Sequence, residues 1–73
     1  MASQAERQRV VALGLATLAQ KERAALVLRT VEGLSTREVA GILGSSEVTV
    51  RAQVFTARMK LKKFTDRYLR KKL

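Results

Sequence analysis

With 73 residues the chain has room for one small domain, and no cysteine is present to staple its core. The absence of Cys and His excludes zinc fingers and nucleophile–histidine chemistry, and 47% apolar residues is too many for a disordered tail. The net charge is +9, and no apolar run approaches the roughly 20 residues of a membrane span.

No signal peptide is visible, and Met1-Ala2-Ser3 reads either as a plain start or as the end of a piece excised from a longer chain. With no proline and little β-branched alternation, the fold class is all-α, with four helices and no strand. The first helix is expected over about 4–18, with Val11, Leu15 and Leu18 on one face. Gly14 weakens it by about 1 kcal/mol relative to Ala. The second is expected over 20–32, with Ala24, Leu28 and Val31 inward and Val27 beside them, ending before Gly33.

In "LSTREVAGILG", Ser35 is an N-cap and Glu38 completes a capping box, with Leu34 and Val39 spaced for a hydrophobic staple. This third helix runs to about Leu43, where Gly44 can take the left-handed conformation that ends it. Ser46 offers the next N-cap, and Glu47 lies at the positive end of the new helix dipole. Helix, tight turn, helix over about 35–58 is the helix-turn-helix pattern, with Ala40 at the close approach and Val50 fixing the second helix.

The last helix runs from Glu47 almost to the C-terminus, on the order of 40 Å at 1.5 Å per residue. Its buried stripe is Val50, Val54, Ala57, Leu61 and Phe64. Phe55 points away from that stripe, among Arg51, Arg58 and Lys62. Residues 1–50 hold six basic and five acidic groups, whereas 51–73 hold nine basic groups and Asp66 alone. A basic end on a nearly neutral domain points to a polyanionic partner. A solvated, solubilising face is the bland alternative, and Phe55 could simply pack on the stems of Arg51 and Arg58.

Residues 22–61, "ERAALVLRTVEGLSTREVAGILGSSEVTVRAQVFTARMKL", resemble region 4 of bacterial RNA polymerase sigma factors, and most of all the extracytoplasmic-function group. The family run is matched by Leu18, Arg23 and Leu28, by Glu32-Gly33-Leu34-Ser35, and by Glu38-Val39-Ala40. It continues through Leu43-Gly44, Thr49-Val50, Ala57-Arg58 and Leu61. The departures are Ala19 for the family's usual Pro, Ser45 for an apolar turn residue, and Gln53 and Thr56 for arginines. Ser45 is expected to loosen the turn, and Gln53 and Thr56 to weaken phosphate contacts.

The resemblance implies that residues 1–73 form a DNA-binding domain whose last helix enters the major groove of the −35 promoter element. The outer face offered there is Glu47, Val48, Arg51, Ala52 and Phe55. Arg51 can contact guanine O6 and N7, and Phe55 a thymine methyl group or a sugar edge. Arg37, Ser46, Thr49, Thr56 and Arg58 are candidate phosphate holders. Lys62 lies further along, where only phosphates or water remain, and with Lys60, Lys63, Arg67, Arg70, Lys71 and Lys72 it forms a basic tail. The resemblance further implies a cytoplasmic protein that docks on the β-subunit flap of RNA polymerase core, with an anti-sigma factor as a further partner. No catalysis, metal or cofactor is expected, and the isolated domain should be monomeric. The competing readings are the output domain of a LuxR-type response regulator, a protein-interaction module, and a basic helix on a membrane surface. The last has too narrow a stripe and no Trp.

Overall fold

The computed structural model describes residues 3–72, with side chains to Arg70. Met1, Ala2, Leu73 and the side chains of Lys71 and Lys72 lie outside the described residues. Four helices follow one another, α1 (Gln4–Ala16), α2 (Gln20–Thr30), α3 (Thr36–Leu43) and α4 (Glu47–Lys72), with no strand among the described residues. α4 is the spine against which the other three pack, and the molecule is 41 Å in its longest dimension. Among the described residues no helix is long and apolar enough to cross a membrane.

The core gathers around α4. Val50, Val54 and Ala57 are buried with Val39 and Ala40 of α3, Ala25 and Leu26 of α2, and Leu18. Leu43 and Leu61 are half-buried against the same cluster, and Phe64 stacks on Tyr68 with ring centroids 6.2 Å apart. The stripe on α4 therefore lies where its period places it, with the small Ala40 at the α3–α4 contact.

The first two helices follow expectation in part: Leu15, Leu18 and Leu28 pack on the core, whereas other positions depart. α1 ends at Ala16, and its buried residues are Val10 and Gly14, while Val11 is exposed. The reason is a close approach: a Cβ on Gly14 would lie 2.5 Å from Leu61 Cδ1 and 3.0 Å from Phe64 Cδ1. α1 thus brings its glycine up against α4, with Val10 buried and Leu15 packed against the core. α2 ends at Thr30, its buried residues are Ala25 and Leu26, and Val31 is 73% exposed. Ala24, Val27 and Leu28 are half-buried.

The start of α2 is tied to α4. Ala19 has no side chain to cap with, but its N–H donates to Glu22 Oε1 at 3.2 Å. Glu22 also accepts from Lys60 Nζ at 2.9 Å. At the other end of α2, Gly33 reverses the chain and the Arg29 guanidinium donates to the Leu34 carbonyl at 2.5 Å.

Candidate nucleic-acid interface

The α3–turn–α4 unit is held by hydrogen bonds at each boundary. Ser35 Oγ accepts from Glu38 N at 3.1 Å, and Glu38 Oε1 accepts from Ser35 N at 2.9 Å. The Ser35 backbone donor, followed by its hydroxyl, holds the Glu38 carboxyl below the usual carboxylate range. Gly44 sits at φ 66°, a conformation that L side chains disfavour, and ends α3. Its N–H and that of Ser45 both donate to the Ala40 carbonyl, so the turn stays closed with Ser45 in it. Ser46 then caps α4, accepting from Thr49 N at 3.1 Å.

These caps aim the N-terminal turn of α4 outward. Ser46, Glu47, Val48 and Thr49 are all exposed. Ser46 Oγ donates to Thr49 Oγ1 at 2.9 Å, which leaves the Thr49 hydroxyl hydrogen directed elsewhere. Glu47 and Arg51 form an i,i+4 ion pair at 3.5 Å with both side chains largely in solvent. Such a pair is worth about 0–1 kcal/mol, so Arg51 can be drawn to a stronger partner at little cost.

Arg51, Ala52, Phe55, Arg58 and Lys62 are exposed along α4, and Phe55 is exposed to 66%. Gln53 is half-buried on the opposite flank of the helix, and Thr56 is half-buried between that flank and the exposed face. Arg37 is exposed in the first turn of α3. A cleft of about 280 Å³ lies between these helices, lined by Arg29, Thr36, Arg51, Val54, Phe55 and Arg58. Three arginines thus line it beside the first residue of α3, whose N–H is among the donors that a helix N-terminus leaves unsatisfied. Arg29 and Thr36 are the members that sequence reading passed over. Arg29 reaches the cleft from the end of α2, a placement that only the α2–α3 connection reveals.

The basic tail divides in two. Lys60 reaches back to Glu22 and is an interhelical tether. Lys62 pairs with Asp66 at 3.4 Å, along its own helix and in solvent. No cluster of three or more metal-capable side chains occurs among the described residues.

Comparison with known families matches residues 7–61 to a family model described as Sigma-70, region 4. No curated protein sequence matches the chain.

Proposed function

Because the chain belongs to the Sigma-70, region 4 family, a DNA-binding family of promoter recognition, we propose that α4 reads the −35 promoter element in the major groove. The family also implies RNA polymerase core as a partner, and it is a family of DNA-binding domains, not of enzymes. This form of the domain is typical of the extracytoplasmic-function group. A LuxR-type output domain is not favoured by the match. The functional unit proposed here is the whole helical body, with the helix-turn-helix over about 35–58.

The observation that carries this reading is the exposure of Arg51 and Phe55 one turn apart on α4, beside the arginine-lined cleft. Arg51 reaches a base edge, while Arg29, Arg58 and the N-terminus of α3 take a backbone phosphate. Arg37, Ser46, Thr49 and Thr56 hold phosphates around it, and Lys62 touches only phosphate. Docking on the β-subunit flap falls to the exposed Val11 and Leu13 of α1 and Val31 of α2, which the core does not use. An anti-sigma factor would compete for the same exposed faces, and the isolated domain is a monomer.

The test compares two substitutions on a duplex selected for binding from a random library and on its scrambled version. Arg51→Ala should cost about 1–3 kcal/mol on the selected duplex and much less on the scrambled one. Lys62→Ala should weaken both by a similar, smaller amount. Equal losses for Arg51→Ala on both duplexes would reduce the outer face to a phosphate clamp.

A further inference from the structure

The outer face of α4 carries an apolar ridge. Val48, Ala52, Phe55 and Met59 follow at i, i+4, i+7 and i+11, so at about 100° per residue they fall within about 60° of one another. They lie nearly opposite the buried stripe of Val50, Val54 and Ala57. Val48 is 72% exposed and Met59 46%, with Phe55 between them. Among the described residues the core cluster uses none of these four side chains, although the strip costs solubility.

We infer that this ridge reads the 5-methyl groups of thymines, so that the bound element is selected for consecutive thymines at the floor of the groove. The inference rests on the DNA-binding reading above and adds what the groove contact selects. Charge decides the occupant: Arg51, Arg58 and Lys62 flank the ridge on one side and Lys63 on the other, all exposed. A protein partner would have to desolvate that cationic border, whereas a duplex supplies phosphates along both edges of the groove.

Chemistry decides the reading. The side chains of Val48 and Ala52 have no hydrogen-bonding atom, so they cannot read donors or acceptors. The apolar group that the major groove presents is the thymine C5 methyl. From Val48 to Phe55 the helix rises about 10 Å, the length of roughly three base pairs. Arg51, off to one side, hydrogen-bonds at the border of the same stretch.

The probe is a duplex selected by the full chain from a random library, then resynthesised with deoxyuridine in place of thymidine. Each methyl lost from beneath the ridge should weaken binding by about fourfold, the equivalent of one buried methylene. Phe55→Ala, a surface change that leaves the core intact, should lose sensitivity to one methyl and keep it at the others. The salt dependence should stay the same in both chains. Equal affinity for thymine and uracil duplexes, with binding still steeply salt-dependent, would overturn the ridge and leave the DNA-binding reading standing. Unchanged DNA affinity in Val48→Ser and Phe55→Ala would also overturn it, by assigning the strip to a protein surface. Failure of the chain to hold any duplex at low salt would overturn the DNA-binding reading itself.

Discussion

Gln53 sits on the flank of α4 with its side-chain carbonyl oxygen buried and without a hydrogen-bond partner. A buried acceptor left unmade costs about 1–3 kcal/mol. Gln53→Leu keeps much of the volume and removes the orphan, so thermal unfolding should shift upward, by about 1 kcal/mol of added stability, with DNA affinity unchanged. A drop in melting temperature would mean that the carboxamide is satisfied in solution. Phe55 was legible as an outward aromatic because the α4 stripe has a clean helical period. Gly14 was not. In sequence it reads as a local weakness of α1, whereas its meaning is a contact with Leu61 and Phe64 some 50 residues away. Helical period fixes which residues share a face, but not which of two apolar faces a neighbouring helix will choose.

That limit recurs among the elements. α3 and the start of α4 were legible nearly to the residue, because Ser35, Glu38, Gly44 and Ser46 act within one turn of themselves. On α1 and α2 the period reads in part: Leu15, Leu18 and Leu28 pack on the core, but Val11 and Val31 are exposed while Val10, Ala25 and Leu26 are buried, since both helices carry apolar residues around much of their circumference and tertiary packing decides among them. The tether from α2 to α4 gives a pH prediction. Lys60 donates to Glu22, and the Ala19 N–H adds to it, holding the Glu22 carboxyl below its ordinary value of 4.5. A depressed carboxylate contributes stability above its unfolded-state value and loses it as pH falls through the folded one. The melting temperature should therefore decline as the solution is acidified below about pH 5. Glu22→Gln should lower it near neutrality and flatten that decline. An unchanged acid profile in Glu22→Gln would show that the Lys60–Glu22 contact contributes nothing in solution.

At the scale of the whole molecule, α4 joins two roles that its length makes compatible. Its buried stripe organises the core, and the helix carries most of the charge excess of the chain. Sequence composition shows the excess but not its allocation, because Lys60 and Lys63 are equivalent in a charge count. In the fold, Lys60 neutralises Glu22 while Lys63 stands exposed among the described cations. Counterion release makes log affinity fall linearly with log salt, with a slope of about −0.9 per phosphate neutralised. Binding to a duplex should thus weaken steeply between low and physiological salt. Lys63→Met should reduce the slope by at most about one, and Lys60→Met should leave it unchanged while lowering the melting temperature. Titrations of both variants over a salt series, each paired with a thermal melt, separate the two roles. If Lys60→Met reduced the slope as much as Lys63→Met and left the melt alone, Lys60 would belong to the DNA-facing set, and α2 would be held to α4 by apolar packing without the tether.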